Sequence, residues 1–425
     1  MIARWRWALG QLTKRLWFRA SLFSLLGIAT ALLAIFFKDF VPASLPTRIG
    51  ADAVDKILGI IASSMLAVTT FSLSTMVSAY SAASSGVTPR ATTLVMEDTT
   101  TQNALATFIG SFLFSLVGII ALSTGLYGAQ GRVVLFAVTI AVVILIVYTL
   151  LRWIDHLSKL GRVGETIDRV ERATLEALEG RTKWPYLGAA EYPEELKLMN
   201  TIPAVACATT GYVQHIDVQA LGAVAQQYEV RIYVEVLPGT FVHEGLVLAK
   251  VLQSSQNGDE DINAIGERIL AAITIGVRRT FEHDPRFGLS VLSEIASRAL
   301  SPAVNDPGTA IDIIGRGVRC FTQWANRADL AGEADPECMQ VHLRGLDVND
   351  LFEDFFAPIA RDGASLVEVD SRMMKALVSL SEIDPHLFGT TSRKHAMLLL
   401  KRAQTELALE EEKAQLGRVA SKFVS

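Results

Sequence analysis

Three cysteines in 425 residues are too few and too scattered for a disulfide framework. Cys207, Cys320 and Cys338 form no CxxC pair, and they read as buried free thiols on the reducing side of a membrane. Nucleotide chemistry has no visible seat, because neither a GxxxxGK[ST] loop nor a GxGxxG fingerprint occurs. No HExxH occurs, and the seven histidines (His156, His215, His243, His283, His342, His386 and His395) stand apart along the chain. His215 with Asp217 and His243 with Glu244 read as surface pairs. No nucleophile-elbow pattern is present. These absences predict a non-enzyme with no metal and no cofactor. An excess of one charge is also missing. Lys and Arg number 39 against 44 Asp and Glu, a net charge of −5, which leaves no electrostatic footprint for nucleic acid.

What the chain does have is apolar length, unevenly placed. It is 50% hydrophobic and 20% charged, with a mean hydropathy of +0.34. Residues 16–152 carry long uncharged runs, and most of the charge follows them. A membrane span needs about 20 mostly apolar residues. Four stretches qualify: about 16–37, 57–80, 104–123 and 133–151. The segment Gly125–Gly131 (GLYGAQG) reads as a tight hairpin between the last two. The basic, apolar start has features of a signal peptide. Its length and the three spans after it read instead as an uncleaved anchor, with Trp5, Trp7 and Trp17 forming an interfacial belt. Arg4, Arg6, Lys14, Arg15 and Arg19 precede the first span, and Arg152, Lys159 and Arg162 follow the fourth. Both termini are therefore expected in the cytoplasm.

The second span has no charge but is dense in Ser and Thr. At about 100° per residue, Ser63, Ala67, Thr70, Ser74, Ser78 and Ser81 share one face. Such a face can let another helix approach closely. It can also line a wet path, where hydroxyls replace part of an ion's hydration shell. The absence of an ionisable group argues against a proton relay. After a turn at Gly86 and Pro89, a short amphipathic helix is expected from Ala91 to Met96. Arg90 stands beside it as a membrane-proximal cation that snorkels to headgroups or marks a pore mouth.

The expected fold is membrane α-helical plus a cytoplasmic α+β region. Residues 1–152 form the transmembrane domain. Residues 153–200 read as a helical extension of the fourth span, ending at Gly180, and a connector. Residues 201–255 read as a small β-rich module. Within it CATTGYVQHID is a strand, VQALGAVAQQY a helix, and EVRIYVEV a strand alternating at Val230, Ile232, Val234 and Val236 before Pro238-Gly239. The rest, 256–425, reads as a helical domain, with helices at 261–283, 287–300, 307–328, about 348–360, 365–382 and 391–422. Asp284-Pro285, Ser301-Pro302 and Asp306-Pro307 punctuate it, because Asp caps free amides and Pro lacks one. The corner SPAVNDP, with Ser301, Asn305 and Asp306, is expected to cap a helix.

Two resemblances follow from these residues. PGTFVHEGLVLAKV resembles the turn region of biotinyl/lipoyl barrel-sandwich domains, which present a modifiable lysine at a hairpin tip. Lys250 lies inside a strand pattern instead, so neither biotin nor lipoate is expected. The tail of the second span through TPRATTLV, the PGTFVHEG turn, and above all FEHDPRFGLSVLSEIASRALSPAVNDPGTA resemble the bacterial predicted membrane proteins of the domain-of-unknown-function family 2254, over roughly residues 15–400. The resemblance implies four N-terminal spans, a cytoplasmic C-terminal half and a bacterial plasma-membrane location. It implies no activity, substrate or catalytic residue. Two functions of different class are expected from the whole reading. One is a homo-oligomeric channel or passive transport protein with the second span along a polar path. The other is a membrane-anchored sensor or scaffold whose cytoplasmic domain binds a ligand or partner.

Overall fold

Hydrocarbon leaves a backbone nothing to bond to except itself, so the apolar runs must form helices. The computed structural model describes residues 16–36, 51–96, 98–125, 128–193, 203–253, 259–326 and 336–423. These residues fall into two compact units, one ending at Thr166 and the other starting at Ile167. The N-terminal basic cluster, Trp5, Trp7 and most of the first interhelical loop lie outside the described residues.

The first unit holds α1 (Leu16–Phe36), α2 (Ala51–Gly86), the short α3 (Thr92–Met96), α4 (Thr99–Ser123) and α5 (Gly128–Leu157). Three of its helices are long and apolar enough to cross a membrane, and α1 contributes a shorter apolar stretch, Trp17–Leu33. Helices α1 and α4 meet backbone to backbone. A Cβ added at Gly27 would strike the carbonyl of Gly110, and one at Gly110 would lie 2.9 Å from the carbonyl of Phe23. Small residues at a crossing replace the hydrophobic drive that lipid removes. Leu58 of α2 packs with Phe114 of α4 and Leu135 of α5. Deeper along the same helices, Ile61 and Met65 pack with Phe108 and Trp153.

Two expectations here need correction. The run Gly125–Gly131 is a turn only at its start. Gly125 adopts φ +72°, its amide closes α4 on the Leu122 carbonyl, and α5 already begins at Gly128. The left-handed glycine ends one helix, and the next starts as early as it can to satisfy its backbone. The fourth span also does not continue unbroken to Gly180. It stops at Leu157, and α6 runs separately over Val163–Lys183. Gly161 adopts φ +80° at the break, and a Cβ there would come within 3.1 Å of Ala79, so close approach to α2 requires glycine.

The second unit is mixed α/β, with two sheets and a helical C-terminal part. After α6 come β1 (Ala189–Glu191), β2 (Ala204–Ala206), β3 (Gly211–Ile216), α7 (Val218–Gln227), β4 (Val230–Val234), β5 (Phe241–Val242) and β6 (Val247–Gln253). Next are α8 (Asp259–Ala272), β7 (Ile273–Gly276), α9 (Pro285–Ala299), α10 (Pro307–Asn326) and β8 (Cys338–Leu343). Four further helices follow: α11 (Val348–Asp362), α12 (Val367–Ile383), α13 (Pro385–Glu406) and α14 (Glu410–Ala420). One sheet has the order β1-β8-β4-β6-β2 and the other β5-β3-β7. Strand β4 runs parallel to β8 and antiparallel to β6. Its alternating Val230, Ile232 and Val234 are buried as their period predicts, and Val236 beyond it is buried too.

The strands do not stop at residue 255. The helix expected over 261–283 ends at Ala272, and Ile273–Gly276 pairs antiparallel with β3. Its β-branched residues fit a strand, and the open edge of β3 supplies the partner. Strand β8 is likewise drawn from the region read as helical. The helix expected over 391–422 starts earlier, at Pro385, under an Asp384 cap, and breaks between Glu406 and Glu410. The helical part closes on an aromatic cluster in which Phe321 touches Phe352, Phe355, Phe356 and Phe388.

Candidate functional site

Helix α2 carries two seams. One is buried: Val54, Leu58, Ile61, Met65, Ser72, Met76, Ala79 and Ala83. The other is the sequence-predicted face, and Ser63, Ala67, Thr70, Ser74, Ser78 and Ser81 are all exposed. At about 100° per residue the two seams lie on opposite sides of the helix. Three of the outward hydroxyls bond back to their own helix. Ser63 Oγ donates to the Gly59 carbonyl at 3.0 Å, Thr70 Oγ1 to Leu66 at 2.9 Å, and Ser78 Oγ to Ser74 at 3.1 Å. Ser72, on the buried side, instead accepts from the Trp153 indole at 3.0 Å. Arg90 is exposed at the turn before α3, where Thr92 Oγ1 donates to the Pro89 carbonyl.

Near the ends of α4 and α5, His156 Nε2 lies 2.7 Å from Asp98 Oδ2. Asp98 also caps α4 by accepting the amide of Thr101, whose hydroxyl bonds the same carboxylate. The sequence shows His156 only as an isolated histidine, and the structure gives it Asp98 as a partner.

In the second unit the SPAVNDP corner is exposed and capped. Asp306 accepts the Thr309 amide at 3.1 Å and its hydroxyl at 2.6 Å, and these bonds hold the carboxyl below its usual range. Asn305 takes φ +49°, and its amide donates to the Ser301 carbonyl at 2.8 Å. Lys250 lies within β6 and pairs with Glu235 at 3.1 Å. Asp217 is buried and caps α7 through the Ala220 amide, so it is not half of a surface pair with His215. Among the described residues no three His, Cys, Asp or Glu side chains gather into a metal-holding group.

What the sequence reading missed is a charged cleft. A cavity of about 140 Å³ is lined by Arg181, the Pro238–Gly239 turn, Arg279, His283 and Asp284. A larger cleft of about 750 Å³ shares Leu237, Thr240, Arg286 and Leu346 with it and extends past Tyr192 and His386. Asp284 caps α9 through the Phe287 amide at 3.0 Å and pairs with Arg279 at 2.7 and 2.9 Å. Burial raises the Asp284 carboxyl, against the pull of Arg279 and the Phe287 amide. Gly239, at φ +91°, sits where any Cβ would overlap that carboxylate. Arg286 is held by Asp354 at 2.6 Å and Asp350 at 2.5 Å. Tyr192 donates to Glu235 at 2.6 Å, and Arg344 pairs with the other oxygen at 2.8 Å. The available signal was the charge density of RRTFEHDPR, three Arg with Glu282 and Asp284, which overlaps the block that carries the family resemblance.

Comparison with known proteins bears on most of the chain. The profile of a family described as "Predicted membrane protein (DUF2254)" matches residues 13–379. An uncharacterized protein of Mycobacterium tuberculosis (strain H37Rv) is 27% identical over 236 residues, which is 55% of this chain and 45% of that protein. An uncharacterized protein of Mycobacterium bovis matches to the same extent. The match therefore spans a little under half the length of these curated relatives. No solved structure matches the chain.

Proposed function

Since the chain belongs to the DUF2254 family of predicted membrane proteins, we propose that it works as a non-enzymatic, homo-oligomeric channel or passive transport protein in which α2 faces a polar path. One observation carries the reading: the hydroxyl seam of α2 points away from everything its own unit packs against. A seam of small residues opposite a packed seam suits a second copy of the helix or a column of water. Each back-bonded hydroxyl still has oxygen lone pairs to offer, so the path suits a cation or water better than an anion. In this reading both termini lie in the cytoplasm of a bacterial cell, an orientation that the Lys/Arg distribution supports.

Single cysteines at Ser63, Thr70, Ser74 and Ser78 test the path, in a background lacking Cys207, Cys320 and Cys338. They should react with a water-soluble thiol reagent faster than cysteines at buried Ile61 or at Leu73, which is exposed on another face. Purified protein in planar bilayers should pass current. Equal protection at all six positions, with silent bilayers, would sink the path. The anchored sensor would then stand, and the charged cleft of the second unit favours that reading independently.

A further inference from the structure

An arginine with nothing to hold is costly inside a protein, because neither water nor a counter-ion repays its desolvation. Arg181, in the last turn of α6, is 3% exposed. Its Nη2 donates a long bond of 3.3 Å to the Arg344 carbonyl. Its Nε and Nη1 are buried without any hydrogen-bond partner. Asp284 is the acid among the residues lining the same cavity. Both of its oxygens are already engaged by Arg279, and one also by the Phe287 amide. The third lining arginine, Arg286, is paired with both Asp350 and Asp354. Of the three arginines on the wall of this cavity of about 140 Å³, Arg181 is therefore the one that hydrogen-bonds no carboxylate, although Asp284 attracts it from nearby.

The geometry points to this cavity as a binding site for an oxyanion, a phosphate group above all, with the Arg181 guanidinium as its principal partner. The planar fork of arginine matches two oxygens of such a group at once. His283 and the Thr240 hydroxyl line the same wall and supply further polar contacts. The left-handed turn at Gly239 lets the backbone come close to the Asp284 carboxylate and keeps the wall in place. The rest of a larger ligand has room in the adjoining cleft of about 750 Å³. Burial draws Arg181 down to about 10, with nearby Asp284 opposing, so the side chain still carries its charge at neutral pH. The phosphate can belong to a soluble molecule or to a lipid headgroup. The inference rests on the second reading above, in which this unit binds a ligand, and does not depend on the path along α2.

The test uses the full chain, purified and placed in nanodiscs of phosphatidylcholine, with inorganic phosphate titrated against chloride at matched ionic strength. The expected result is a saturable rise in Tm that Arg181→Met weakens at least tenfold and Arg181→Lys weakens less. Without phosphate, Arg181→Met should melt higher than the parent, because it removes an unpaired buried charge. Arg361→Gln, which breaks an exposed pair with Asp362, should respond as the parent does. Nanodiscs of phosphatidylglycerol separate the sources. An Arg181-dependent rise there, with no response to free phosphate, assigns the site to a headgroup. A phosphate response unchanged in Arg181→Met overturns this site while leaving ligand binding by the unit intact. An Arg181→Met protein that melts lower without phosphate overturns the unpaired charge. No response to phosphate or to either lipid overturns the oxyanion chemistry.

Discussion

The two units differ in how far their polar side chains reach for a partner. In the apolar unit many hydroxyls bond the carbonyl one turn back, among them Ser63, Thr69, Thr70, Thr75, Ser78, Thr107 and Thr139. The mixed unit adds charged pairs that reach far along the chain. Arg286 finds Asp354, Arg316 finds Glu171, and Arg344 finds Glu235. A helix in lipid must satisfy itself before it meets a neighbour, so local bonds are favoured. A water-exposed domain can leave charges hydrated until folding brings them together. The lesson is that polar substitutions should be nearly silent in one unit and expensive in the other.

The strongest challenge to that contrast is Asp284→Ala. It orphans Arg279 and uncaps α9, so a loss of about 3–5 kcal/mol is expected, read as a drop in the unfolding midpoint of the mixed unit. Asp370→Asn should act in the other direction. Asp370 is buried with no partner for either oxygen, and burial, then Glu368, push its carboxyl up to about 7. Below about pH 4 both folded and unfolded chains hold the proton, and nothing is lost. Between about 4 and 7 only the unfolded chain ionises, so stability falls as pH rises, by up to a few kcal/mol, and is then level. Melting curves of the Asn variant should lack that slope. A parent protein as stable at pH 8 as at pH 5 would show that Asp370 has a partner.

Smaller effects sharpen the comparison. Asp306→Ala removes a cap and should cost about 1 kcal/mol, while Asp306→Asn should be tolerated. Loss of function in Asp306→Asn at an unchanged Tm would make the corner more than a cap. Within the apolar unit, Ser72→Ala should cost about 1 kcal/mol, because the Trp153 indole loses its acceptor. Thr70→Val removes only a bond within its own helix and should stay within about 0.5 kcal/mol. If thermal unfolding ranks Thr70→Val above Ser72→Ala, the outward seam already contacts another molecule in the purified protein.

How much was legible follows the same division. Hydropathy located the apolar helices, and period-two alternation located β4, because both signals are local. Asp-Pro pairs marked the starts of α9 and α10. The same pair at Asp384-Pro385 was equally readable and was passed over, which misplaced the start of α13. Strand β7 was hidden because Ile273–Gly276 continues an apolar helix with no breaker, and only the edge of β3 turns it into a strand. The charged cleft was hidden for a stronger reason. Arg181, Gly239 and Asp284 come from three separate segments, and no spacing rule joins them.

The opposed seams of α2 have a consequence for insertions and deletions. Adding one residue between Ser72 and Ser74 would rotate everything beyond it by about 100°. The packed seam would then face outward past that point, and the hydroxyl seam would swing aside with it. Adding seven residues would restore the phase of both to within about 20° while lengthening the helix by roughly 10 Å. Along this helix, then, a frame-preserving change of one codon is more damaging than most substitutions, and reading phase constrains the span more tightly than the chemistry of any single position.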